Sequence, residues 1–141
     1  MSLTKAQSRQ LDAFQSRCLR RVLGIAPAYY SRVSNAAVRE TTGCEPITAT
    51  LRFRRFQMLG EIFRSPPEHP LNTACFIPGT SAAATDRYVR RVGRPAKEWV
   101  KEMLHEAITL FGSMDMVTEL AKDKRIWNST MYEKLFGASW S

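Results

Sequence analysis

Apolar residues recur at helical spacing along most of the chain. The longest such stretch is Leu51 to Arg64, LRFRRFQMLGEIFR. On a helical wheel, Ile47, Leu51, Met58 and Ile62 share one narrow stripe, and Phe53, Phe56, Leu59 and Phe63 widen it well past about 100°. Arg54, Gln57, Glu61 and Arg64 take the polar side. Arg52 and Arg55 project inside the apolar arc, between Leu51 and Phe63. Pro46 suits the first position of this helix, and Pro66 and Pro67 stop it. A helix this apolar is expected at the centre of a core, where the stems of Arg52 and Arg55 either snorkel to the surface or bridge to a partner.

The flanking pattern is helical too. Thr4 with Gln7 forms a capping box for a first helix that runs to Leu23, with Gly24 as its stop. Leu11, Phe14, Cys18 and Val22 make its expected core face, with Cys18 as a small core residue. Pro27, Tyr29 and Tyr30 fall in a connector. Ser34 caps a short helix that ends at Gly43, and Val33 and Val38 are placed as a hydrophobic staple. Residues 65–94 read as irregular, with Cys75, Phe76 and Ile77 as a brief extended segment. A loop of that length needs something to hold it in a compact domain. Pro95 opens the next helix, where Trp99, Met103, Ala107, Leu110 and Phe111 form a row widened by Val100, Leu104 and Ile108. Gly112 ends it. Ser113 caps a helix from Met114 to Lys122, and Asp123 caps the last one, with Ile126, Trp127, Met131 and Leu135 facing inward and Gly137 at its end. No segment alternates long enough for a strand. The expectation is an all-α, five- or six-helix domain with a long irregular central loop. Its parts are a basic helical part (1–64), the loop (65–94) and a C-terminal helical part (95–141), together one domain.

Charge changes this picture. The chain has 141 residues and a net charge of +8. Residues 1–64 hold 11 basic and 4 acidic groups, a net of +7, and residues 65–141 hold 10 and 9, a net of +1. Ten of the first eleven are arginines, whose planar forks match phosphate and stack on bases. A polyanionic partner is implied. Arg17, Arg20 and Arg21 also sit where positive charge complements a helix C-terminus. Three separated cysteines, Cys18, Cys44 and Cys75, argue against a disulfide framework and for a reducing compartment, whether nucleus, cytoplasm or organelle matrix. No apolar run is long enough to span a membrane. Residues 1–39, with seven basic groups, one acid and several serines, have the composition of a mitochondrial transit peptide, so an uncleaved organelle address is among the localisations this allows.

Catalytic signals are absent. Asp12, Asp86, Asp115 and Asp123 are isolated, where two-metal chemistry needs clustered carboxylates. Of Cys18, Cys44, His69, Cys75 and His105, only His69 and Cys75 lie near each other, so neither a metal nor another cofactor is expected. His105, between Glu102 and Glu106, reads as solvated. No glycine pattern cradles a phosphate. Gly93-Arg94-Pro95, preceded by Arg91 and Val92, matches the core of minor-groove AT-hooks.

Several pieces in order carry a further signal. They are Leu11-Asp12-Ala13-Phe14 with Arg17 to Ile25 (RCLRRVLGI), Arg32 to Asn35, Thr42-Gly43, Leu51 to Gly60 with Arg64, Gly93-Arg94-Pro95 with Trp99, and Ala121 to Arg125 with Trp127. Over nearly its whole length the chain resembles the region after the polymerase core in non-LTR (LINE-type) retrotransposon reverse transcriptases. In that family His often follows the Leu-Gly of the fourth piece, where Glu61 stands here. The polymerase aspartates lie upstream of the region. The resemblance implies a non-catalytic accessory segment from a region associated with template RNA and target DNA.

The expected function is therefore a non-enzymatic, retroelement-derived protein that binds RNA or DNA. Arg17, Arg20, Arg21, Arg52, Arg55, Arg91 and Arg94 are its expected phosphate contacts, and Tyr29 and Tyr30 its stacking groups. The alternative is a structural accessory subunit of a large assembly, such as an organellar ribosome, recruited from a retroelement fragment.

Overall fold

The computed structural model describes residues 3–84 and 98–139. Among them are eight helices: α1 (Lys5–Leu23), α2 (Ala28–Ser31), α3 (Asn35–Thr42), α4 (Ile47–Arg64), α5 (Pro70–Cys75), α6 (Trp99–Phe111), α7 (Met114–Ala121) and α8 (Lys124–Phe136). The protein is all-α, and its one β feature among the described residues is an antiparallel bridge between Phe76 and Ala83. The two helices beyond the expected six are α2 and α5, of four and six residues. Neither is long enough to show a helical period. α5 lies inside the stretch read as irregular, started by Pro70 and by His69 Nδ1, which accepts from the Leu71 N–H at 3.2 Å. No described helix is long and apolar enough to cross a membrane.

By its internal contacts the chain forms two compact units that divide within α4, one reaching to Arg52 and the other beginning at Phe53. The carboxy-terminal unit has the apolar core. Phe56, Leu59, Ile62, Phe76, Met103, Ala107, Val117, Trp127 and Met131 are buried there. Phe63 stacks on Phe76 with ring centroids 5.1 Å apart, and Phe53 meets Tyr132 edge-on at 5.4 Å. Two positions expected inside are outside: Met58 and Ile126 are half exposed.

Gly60 decides how this core closes. Trp127 Nε1 donates to the Phe56 carbonyl at 2.8 Å, so the indole lies directly on the α4 backbone. A Cβ at residue 60 would fall 2.5 Å from Trp127 Nε1 and 2.6 Å from its Cδ1. Glycine inside a helix ordinarily costs roughly 0.5–1 kcal/mol against alanine. Here it makes room for the largest buried side chain.

Polar contacts tie the ends of these helices. Asn72 Nδ2 donates to the Ile62 and Ser65 carbonyls, at 3.3 and 3.4 Å, at the end of α4. Arg64 Nη1 donates to the Ala121 carbonyl at 2.9 Å. Glu61 sits 2.9 Å from Lys124 and 3.4 Å from Arg64, and the Lys124 bond is the main reason its carboxyl titrates below the ordinary range. Asp123 caps α8, accepting from Ile126 and Arg125 N–H at 3.0 and 2.8 Å. Those bonds, Ile126 first, hold its carboxyl below the ordinary value.

The amino-terminal unit is built the other way. Here α1 turns its apolar row outward. Phe14 is 56% exposed, Val22 is 81% exposed and Cys18 is exposed, which reverses the face expected from sequence. Its inward row is Asp12, Gln15, Ser16 and Arg20, which also recurs at helical spacing. Asp12 Oδ1 accepts from the Thr48 N–H at 3.3 Å, and both Asp12 carboxylate oxygens accept from the Thr48 hydroxyl. Gln15 Oε1 accepts from the Ile47 N–H, and its Nε2 donates to the Glu45 carbonyl, both at 2.8 Å. The start of α4 is thus capped from α1, with a carboxylate at the positive end of its dipole. Val38 is the one fully buried apolar side chain among the described residues of this unit.

Gly60→Ala is expected to destabilise the protein by about 1–3 kcal/mol, the cost of overpacking outweighing the gain in helix propensity. Urea unfolding followed by Trp fluorescence measures this. Because the Asp123 carboxyl is depressed in the folded state, its contribution is present above the unfolded value and lost as pH falls through the folded one. Asp123→Asn, which still caps, should flatten the acid limb of stability against pH.

Candidate nucleic-acid interface

Seven basic groups and one acidic group lie in residues 1–39. The structure sorts these arginines by what holds them. Arg20 is 6% exposed. Its Nε and Nη2 both donate to Asn35 Oδ1, at 3.1 and 2.9 Å. Its Nη1 donates to the Ala26 carbonyl at 2.9 Å and the Ser31 hydroxyl at 3.3 Å, and Nη2 also donates to the Val33 carbonyl. All five donors of the guanidinium are engaged by neutral oxygens. Arg20 is therefore not placed to meet a phosphate. It ties α1 to the chain on both sides of α2 and to the first residue of α3.

α2 is a turn of helix fixed at several points. The Ser31 hydroxyl donates to the Pro27 carbonyl at 3.2 Å and accepts from the Val33 N–H at 3.3 Å. Arg32 closes the helix in the left-handed conformation, φ 57°, its N–H donating to the Ala28 carbonyl. That conformation is uncommon outside glycine. It brings the Arg32 guanidinium carbon to 5.8 Å from the centroid of the Tyr29 ring.

Tyr29 and Tyr30, expected in a connector, are presented by this turn. They are 77% and 76% exposed, with ring centroids 5.3 Å apart and planes at 87°. A groove of about 560 Å³ is lined by Ala13, Ser16, Arg17, Arg20 and Arg21 from α1, by Ile25, Pro27 and Ala28, and by Asn35. Tyr29 follows Ala28 in sequence, but neither tyrosine lines the groove. Arg17 and Arg21 are exposed. Asp12, the acidic residue of α1, is bound to Thr48. The groove thus carries two open arginines, and the residue that follows Ala28 of its wall in sequence is the first of the two exposed tyrosines.

Of the remaining expected contacts, Arg52 is exposed at the end of the same unit, and Arg55 is half-buried in the other unit. Arg91, Arg94 and the Gly-Arg-Pro motif lie outside the described residues. Arg32 and Asn35 were missed. No local signal marked Arg32, because its approach to Tyr29 depends on the left-handed conformation that closes a four-residue helix. Nothing local marks Asn35 as a partner of Arg20, fifteen residues earlier. The three cysteines are free, and burial pushes the Cys75 thiol up. Among the described residues no cluster of His, Cys, Asp or Glu could hold a metal ion. No protein-family model, curated protein or solved structure matches the chain.

Asn35→Ala would leave two donors of a buried charge unmet, at a cost of about 1–3 kcal/mol. The expected outcome is faster chymotrypsin cleavage after Tyr29 and Tyr30 under native conditions, and Arg20→Lys should behave the same way. Cleavage at the wild-type rate in both variants would show that the arginine does not fix the turn.

Proposed function

We propose that this chain is a non-catalytic, retroelement-derived basic protein that binds RNA or DNA through arginine–phosphate contacts. The observation that carries the reading is that Arg17 and Arg21 stand open on one groove, whose wall at Pro27 and Ala28 begins the short helix that exposes Tyr29 and Tyr30. Exposed guanidinium groups without carboxylate partners attract phosphates and release condensed counterions when they bind. Arg32 adds a third cation at the rings. Arg20 contributes by holding the turn, not by touching the ligand. Arg52, Arg91 and Arg94 are proposed as further phosphate contacts.

A second reading, an accessory subunit of a larger assembly, is favoured by the outward apolar row of α1. Phe14 and Val22 gain nothing from a phosphate backbone, and exposed apolar surface commonly marks a protein contact. Size-exclusion of the chain purified from cells, with and without nuclease, separates the two. Loss of a large species on nuclease treatment supports the first reading, and its persistence supports the second.

Binding should weaken steeply with salt. Each phosphate contact contributes a slope of roughly −0.7 to −0.9 in log K against log salt. Arg17→Ala with Arg21→Ala should make the slope shallower by about 1.4–1.8. Titration by fluorescence anisotropy across a salt series measures it, and an unchanged slope would rule these two contacts out.

A further inference from the structure

We infer that the groove and the Tyr29–Tyr30 pair take nucleic acid with unpaired bases, a single strand of RNA or DNA, in preference to duplex. This rests on the nucleic-acid reading above and narrows it to one ligand class. The rings are about three-quarters exposed, so broad apolar faces stand in water on a turn held from within. At 87° to each other they do not cover one another face to face. Arg32 lies over one face of the Tyr29 ring, which puts a cation at the stacking surface.

A duplex cannot use such a surface without being opened. Its base faces are covered by their neighbours, and a side chain that enters between them must first unstack a step. What a closed duplex offers instead is phosphates, sugars and groove edges, which Arg17 and Arg21 can meet but the tyrosine faces cannot. A single strand offers both features at once, a backbone for the arginines and free π-faces for the rings. Stacking of one base on one aromatic ring changes affinity by roughly five- to a hundredfold. The rings, not the arginines, should therefore set the preference between strand forms. The contacts do not read base edges, so the preference is for strandedness rather than sequence.

The test is anisotropy with labelled oligo(U), oligo(dT) and a duplex of equal length, at one salt concentration, using the full chain. Wild type should bind both single strands about tenfold or more tightly than duplex. Tyr29→Ala with Tyr30→Ala should lower single-strand affinity by about tenfold and leave duplex affinity within about twofold. Tyr29→Trp with Tyr30→Trp, which keeps the stacking faces, should retain the preference. Arg17→Ala with Arg21→Ala should weaken all three ligands together. Equal affinity for strand and duplex, or a tyrosine variant that weakens both alike, overturns this inference while the nucleic-acid reading stands. Absence of binding to any of the three overturns both. A difference between oligo(U) and oligo(dT) leaves the preference for unpaired bases intact.

Discussion

The amino-terminal unit depends on a buried guanidinium that has no carboxylate beside it. Arg20 carries its charge into the interior and meets only neutral oxygens, three of them on the backbone or side chains between Ala26 and Val33 and one on Asn35. A charge removed from water is tolerated when every donor is satisfied, and costly when one is not. That all-or-none requirement makes the side chain an organising element. It fixes the turn that carries Tyr29 and Tyr30 against the helix that carries Arg17 and Arg21. The helix of the open arginines and the turn of the exposed rings have a defined spacing because Arg20, between Arg17 and Arg21 in sequence, is not open.

The two units reach stability by different routes. The carboxy-terminal unit uses aromatic packing, closed by Trp127 on the bare backbone at Gly60. The amino-terminal unit has one fully buried apolar residue among those described, Val38, and relies on side chains of α1 that cap the start of α4. Hydrogen bonds contribute modest net stability, and their main effect is to specify one arrangement. A unit held this way leaves apolar surface outside, as Phe14 and Val22 show.

This division explains why net charge alone is a poor guide to which arginines bind a ligand. Arg20 and Arg64 both look like cations on helices, yet one is enclosed by carbonyls and the other reaches across to the end of α7. Arg17 and Arg21, within three residues of Arg20 in sequence and identical in chemistry, stand open. Helical geometry makes the difference, because each step along α1 turns the side chain by about 100°, and Arg20 is the one that meets the acceptors at Ala26, Ser31, Val33 and Asn35.

Much of the local structure was determined by sequence. The capping box at Thr4, the caps at Ser34, Ser113 and Asp123, and the helix ends at Gly24, Gly43, Gly112 and Gly137 all form as their residue types dictate, because these signals act within a few residues. The core rows of α4, α6 and α8 follow for the same reason, apart from Leu51, Met58 and Ile126. Tertiary structure decided which face of α1 is buried. Two rows with helical spacing lay on that helix, and the polar one had partners at Thr48, Ile47 and Asn35, far away in sequence. It also decided the shape of the candidate site. The rings of Tyr29 and Tyr30 are presented by a four-residue helix too short to have a period, and that helix is held by an arginine whose acceptors become neighbours only when the chain folds.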